Sequence, residues 1–178
     1  MKTVSLFRHA KSSWRDERLK DFDRPLAPRG EKAAARMGAY MAAESAAPDL
    51  ILCSSSVRTR ATLKIAGKKM ATAKTLYEDA LYHASAGAML TMLRALPPSV
   101  AHVMIVGHNP GLHALILDLF GSGARDEILA AARKFPTAAL AQIEFDIAQW
   151  RRLGVGDGRL TRFVTPKALT ASKSNKSP

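Results

Sequence analysis

Short apolar runs alternate with longer stretches of helical periodicity along the chain. Runs rich in Val, Ile and Leu near 2–7, 49–53, 102–107, 138–145 and 159–164 read as strands, with a weaker one near 74–77. Apolar positions three and four apart mark helices near 30–46, 57–70, 86–96, 111–120 and about 125–133. Near-continuous apolar strands separated by helical patterns belong to a mostly parallel sheet covered on both faces, so the pattern predicts an α/β fold. The last two strands, joined across Gly154-Val155-Gly156-Asp157-Gly158, are expected to pair as a hairpin. No internal repeat interrupts the pattern. Residues 1–165 read as one domain, and the polar segment 166–178 as a basic, flexible tail.

Three of the apolar runs empty into residues of distinctive chemistry. Val4-Ser5-Leu6-Phe7 leads into Arg8-His9, Leu50-Ile51-Leu52-Cys53 into Ser54-Ser55-Ser56-Val57-Arg58, and Val103-Met104-Ile105-Val106-Gly107 into His108. In an open parallel sheet the carboxyl ends of strands border the crevice where ligands bind. Arg58 falls in the first turn of a predicted helix whose cap the serines can supply. A cation there opposes the helix dipole unless an anion occupies the site, when backbone N–H groups and guanidinium act together. Arg8 directly follows a buried strand, where an unpaired guanidinium is costly. Two converging arginines point to a dianion, with phosphate the natural choice. A neutral imidazole adds a nucleophile for phosphorus. Its non-attacking nitrogen has to donate its proton, to a backbone carbonyl for instance, which fixes the tautomer. A second histidine across the phosphate can donate to a nonbridging oxygen.

Charge enlarges the picture. With 27 Lys and Arg against 15 Asp and Glu, the net charge of +12 invites a nucleic-acid reading, yet no nucleic-acid-binding motif is present and nucleic acid is not the expected partner. Arg58, Arg60, Lys64, Lys68, Lys69 and Lys74 form an acid-free stretch, within which Arg60, Lys64 and Lys68 make one helical stripe, either a solvated face or a landing surface for an acidic partner. The polar stretch 10–29, directly after Arg8-His9, reads as a functional rim. The single cysteine, Cys53, lies inside a strand as a small core residue. His83, His102 and His113 fit no ligand spacing, so no metal and no cofactor are expected, and neither a phosphate-binding Walker loop nor a nucleophile-elbow serine occurs. No early apolar run suits a membrane span or a secretory leader, so a cytoplasmic protein without membrane contact is expected.

Arg8-His9-Ala10-Lys11-Ser12-Ser13-Trp14 resembles the opening motif of the histidine phosphatase (phosphoglycerate mutase-like) superfamily, and within it the short SixA-like phosphohistidine phosphatase branch. Asp23-Arg24-Pro25-Leu26 with Gly30, Ser54 to Thr59, Val106-Gly107-His108-Asn109-Pro110-Gly111 and Phe163-Val164-Thr165-Pro166-Lys167 follow in the family's order. The resemblance implies a three-layer α/β/α sandwich and metal-free hydrolysis through a phosphohistidine on His9. Arg8, Arg58 and His108 would complete the phosphate pocket, with added contacts from Ser12 or Lys11. Ala10 stands where many relatives have glycine, and Arg15 where the mutase-like branch tends to carry a phosphate-touching asparagine. The resemblance makes Glu78, after the third strand, the candidate proton donor. The expected substrate is phosphohistidine in a signalling protein, such as a histidine phosphotransfer domain. The alternatives are small phosphorylated metabolites (sugar phosphates or nucleotides) and, from another class, non-catalytic binding of anions or nucleic acid.

Overall fold

The computed structural model describes residues 1–44, 47–68 and 73–174. The predicted helix ends at 45–46 and 69–70, Lys69 of the basic stretch and tail residues 175–178 lie outside the described residues.

The described residues form seven strands and six α-helices, mostly in alternation. They are β1 (Lys2–Arg8), α1 (Pro28–Ala43), β2 (Leu50–Ser54), α2 (Val57–Gly67), β3 (Lys74–Glu78), α3 (Ala86–Arg94), β4 (His102–Gly107), α4 (Gly111–Leu119), β5 (Phe120–Gly123), α5 (Arg125–Arg133), β6 (Leu140–Phe145), β7 (Gly158–Val164) and α6 (Pro166–Ser174). All seven strands form one sheet in the order β3-β2-β4-β1-β6-β7-β5. Its β3-β2-β4-β1 portion is parallel, β6 runs antiparallel to both β1 and β7, and β5 is parallel to β7. The parallel body and the β6–β7 hairpin are as the hydrophobic pattern predicts.

Two cores cover the sheet, which makes three layers. On one face Phe7, Met104 and Ile51 meet Met37 and Met41 of α1 and Leu63 of α2. On the other, Leu6, Ile105 and Leu52 meet Met89 and Leu93 of α3 and Leu112, Leu115 and Ile116 of α4. Complete burial of these large side chains on both faces contributes roughly 1.5–3 kcal/mol apiece. Gly38 lets α1 pass against the backbone of Ala66 in α2, where a Cβ would collide. Cys53 is fully buried in β2, and burial pushes its thiol up to about 12.

Two elements differ from the sequence pattern. Gly121-Ser122-Gly123 reads as a turn, yet it forms β5 beside β7. Segment 166–178 reads as a flexible tail, yet Pro166–Ser174 is a helix. Proline at the first helical position and the Thr165 hydroxyl, which accepts from the Ala168 N–H at 3.2 Å, start it. Leu169 packs on the α1 side of the sheet, and Arg36 of α1 donates to the Pro166 carbonyl at 3.3 Å. No described helix is long and apolar enough to cross a membrane.

Candidate active site

The strands β2, β4 and β1 are neighbours, and Arg8 pairs level with Gly107 and Cys53 with Val106. Residues leaving those three strand ends therefore rise from one edge of the sheet. His9 and His108 come together there, with ring centroids 5.1 Å apart and planes tilted by 52°. Both are nearly enclosed, at 8% and 5% exposure.

His9 carries a hydrogen bond that decides its chemistry. Its Nδ1 lies 2.8 Å from the Ala10 carbonyl oxygen, which can only accept, so the ring proton resides on Nδ1. Nε2 has no partner among the described residues and keeps its lone pair. Burial pushes the imidazole down to about 4, with the Arg58 and Arg8 charges acting the same way against the Ala10 hydrogen bond and the Asp21 carboxylate. His9 is neutral at physiological pH, as nucleophilic attack on phosphorus requires. The backbone holds it tightly. The His9 N–H donates to Gly107, and the Ala138 N–H is shared between the Arg8 and His9 carbonyls at 3.1 Å each. Ala138 makes that contact with φ of 59°, a left-handed conformation that costs a non-glycine residue roughly 1–2 kcal/mol.

Around His9 stand the arginines and His108. Arg8 donates from Nη1 to the Phe135 carbonyl at 2.8 Å, and Asn109 donates to the same oxygen at 3.0 Å. Arg8 Nε and His108 Nδ1 are both buried without a hydrogen-bond partner. His108 Nε2 lies 2.9 Å from the Ser54 hydroxyl, and donation from that hydroxyl leaves the ring proton on Nδ1. Burial, then the neighbouring His9 and Arg58, push His108 down to about 3. Buried polar atoms otherwise find partners, so these two unpartnered nitrogens beside the His9–His108 pair suit a site built for an anion.

Arg58 opens α2, where Thr62 binds the two halves of the site together. Its hydroxyl accepts from the Ala10 N–H at 2.9 Å and donates to the Arg58 carbonyl at 2.7 Å. The expected serine cap differs in detail: Ser56 is the capping residue but makes no side-chain cap. Its hydroxyl pairs with Thr59 at 2.7 Å and sits 3.4 Å from His108 Nε2.

The anion that meets Arg58 is Asp21, from the polar rim. Arg58 Nη2 lies 2.8 Å from Asp21 Oδ2, and Nη1 donates to the Asp21 backbone oxygen. Arg24 adds an ion pair to Oδ1 at 2.9 Å, Tyr82 donates its hydroxyl to Oδ2 at 2.8 Å, and His83 Nε2 stands 3.9 Å away. Partial burial works to raise the Asp21 carboxyl, but hydrogen bonds from Tyr82, Arg58 and Arg24 outweigh it and hold the group well below the usual carboxylate range. Tyr82 also meets the His108 ring edge-on at 5.4 Å, and His83 stacks on it at 6.3 Å.

Arg8, His9, Arg58 and His108 thus assemble as the strand ends predict. Two further candidates stand elsewhere. The Ser12 hydroxyl accepts from Arg24 at 2.8 Å, so Ser12 props the arginine that pairs with Asp21. Glu78 ends β3 in register with Ser54, but among the described residues no hydrogen bond or ion pair ties it to the pocket. From that segment Tyr82 and His83 arrive instead. Asp21, Thr62 and Tyr82 have no sequence periodicity to announce them; the serine cluster and the charge-dense rim are the available signals. Among the described residues no group of three His, Cys, Asp or Glu side chains is placed to hold a metal ion.

Fold and pocket together fit a phosphatase. The model of the histidine phosphatase superfamily (branch 1) matches residues 4–96. An uncharacterized protein of Mycobacterium tuberculosis is 33% identical over 162 residues, covering 90% of this chain and 99% of the relative. The structure assigned as phosphohistidine phosphatase SixA from Agrobacterium tumefaciens is 32% identical, with a TM-score of 0.78, over 93% of this chain and 98% of that one. Its counterpart from Nakamurella multipartitia is 28% identical, with a TM-score of 0.77, over 93% and 96%. The chain belongs to the histidine phosphatase superfamily and is SixA-like.

Proposed function

We propose that the protein removes the phosphoryl group from phosphohistidine on a protein substrate. In the first step His9 Nε2 attacks phosphorus, a P–N bond forms to His9 and the P–N bond to the substrate imidazole breaks. A water then attacks phosphorus, the bond to His9 breaks, and inorganic phosphate and free His9 result. Arg8, Arg58 and His108 Nδ1 stabilise the charge on the nonbridging oxygens in both steps. Charge-assisted hydrogen bonds of this kind contribute on the order of 1.5–3 kcal/mol each.

The observation that carries the substrate reading is the state of the carboxyl at the pocket. Asp21 is held ionised by Arg58, Arg24 and Tyr82, and Glu78 is not tied to the site. A leaving alkoxide needs a protonated general acid beside it. A phosphorylated imidazole protonated on its free nitrogen departs as a neutral ring and needs none. The likeness to SixA-assigned structures supports the same substrate class. The test compares a phosphohistidine-labelled carrier protein with sugar phosphates and nucleotides, beside His9→Ala. Faster release from the carrier, abolished in His9→Ala, is expected. Equal or faster turnover of the small phosphoesters overturns the reading.

A further inference from the structure

A cavity of about 800 Å³ is lined by the cations Lys11, Arg29, Arg133, Lys134 and Lys167 and by no acidic residue. These five come from the segment after β1, the start of α1, the end of α5 and the start of α6. Among the described residues none of their side chains has an ion pair or hydrogen bond. Phe163, Pro136 and Ala33 supply an apolar floor.

Two of its walls adjoin the active site along the chain. Lys11 is two residues from His9, so their Cα atoms are separated by at most about 7 Å. Its backbone is locked to α1: the Ala27 N–H donates to the Lys11 carbonyl at 2.8 Å, and Gly30 packs where a Cβ would strike that carbonyl. Pro136 and Thr137 follow Phe135, whose carbonyl anchors Arg8 and Asn109. The surface around a phosphohistidine presented to His9 can therefore reach this groove. Five unpaired like charges in one concavity repel one another, and an anionic partner relieves that repulsion.

We infer that the groove receives a segment rich in Asp and Glu that flanks the phosphohistidine of the substrate protein. The inference rests on the phosphohistidine reading above. The other basic surface, Arg60, Lys64 and Lys68 of the α2 region, lies toward β3, across β1 in the sheet order. Its Arg60 guanidinium already rests 4.9 Å from the Tyr77 ring centre. It supplies a control with the same charge removed.

The test uses two peptides phosphorylated on a single histidine, one flanked by Asp and Glu and one by Ser and Ala. The ratio of their kcat/KM values is read within each variant, so any general loss of activity cancels. For the wild type at low salt the acidic peptide is expected to lead by roughly tenfold, shrinking as salt screens the charges. The combined Arg133→Ser, Lys134→Ser and Lys167→Ser variant is expected to bring the ratio below about twofold, and Arg60→Ser, Lys64→Ser and Lys68→Ser to leave it near the wild-type value. An unchanged ratio in the groove variant, an equal fall in both, or no wild-type preference overturns the assignment. Turnover of small phosphoesters with none of either peptide overturns the substrate reading, and the groove's role with it.

Discussion

Acidification should destabilise this protein through its own active site. His9 stands at about 4 and His108 at about 3, against about 6.5 for histidine in an unfolded chain. Burial is the main cause for both, and Arg58 adds to it while Asp21 opposes it. Both folded values are depressed, so between 6.5 and the folded value the unfolded chain binds the proton and the folded one does not. The associated stability is present above pH 6.5 and is lost as pH falls toward 4. At pH 5 the unfolded imidazole is about 1.5 units past its midpoint, so neutral His9 costs the fold about 2 kcal/mol relative to pH 7.5. Urea unfolding of the wild type and His9→Gln at pH 7.5 and 5.0, in buffers free of phosphate, isolates this term, because the carboxylates are common to both. The wild type is expected to lose about 2 kcal/mol more than the variant between the two pH values. Parallel losses would refute the claim that His9 is held neutral by its surroundings.

Asp21→Asn leaves Arg58 and Arg24 facing a neutral amide; because Asp21 is partly exposed, a stability loss of about 1–2 kcal/mol is expected by thermal unfolding, together with a fall in kcat/KM. Glu78→Gln is expected to change turnover of a phosphohistidine substrate by less than about twofold, as a half-buried carboxylate with no hydrogen bond or ion pair to the pocket among the described residues should; a steady-state assay showing a large loss would return it to the reaction. Gly30→Ala drives a Cβ into the Lys11 backbone, so a loss of about 1–3 kcal/mol by urea titration and lower kcat from a displaced His9 are expected. Arg8→Lys cannot reproduce the guanidinium geometry at the Phe135 carbonyl and should lower kcat by roughly a hundredfold in single-turnover assays.

The parts legible in the chain are those that local physics dictates. Apolar runs ending at Arg8, Cys53 and Gly107 mark buried parallel strands, and a guanidinium or imidazole just past such a run can lie only at the sheet's carboxyl edge. Four site residues follow from that rule. Asp21 and Tyr82 escape it because they reach the pocket through loops, whose path depends on long-range contacts: Asp21 meets Arg58 across 37 residues and Tyr82 across 61. Glu78 misleads for the opposite reason. Its strand is where the family resemblance places an acid, but its side chain forms no link to the pocket. β5 hides because its glycines mimic a turn; Gly121 packs where a Cβ would strike the Gly156 carbonyl, a fit made only by the fold. The helix α6 hides behind polar composition, although Thr165-Pro166 carries a start signal.

The pairing of the pocket's cations is also informative. Asp21 supplies the charge that Arg58 requires at a helix N-terminus, while Arg8 Nε and His108 Nδ1 stay unpartnered. One guanidinium is thereby held in place before substrate arrives, and two donors are left for it.

The central claim is that His9 Nε2 carries the phosphoryl group. Rapid quenching in alkali during turnover of a 32P-labelled phosphohistidine carrier, followed by peptide mapping, tests it most directly. An acid-labile, alkali-stable label on the peptide containing His9, absent from His9→Ala, is the predicted result. Turnover at full rate with no label on His9, or label and turnover that persist in His9→Ala, would contradict it.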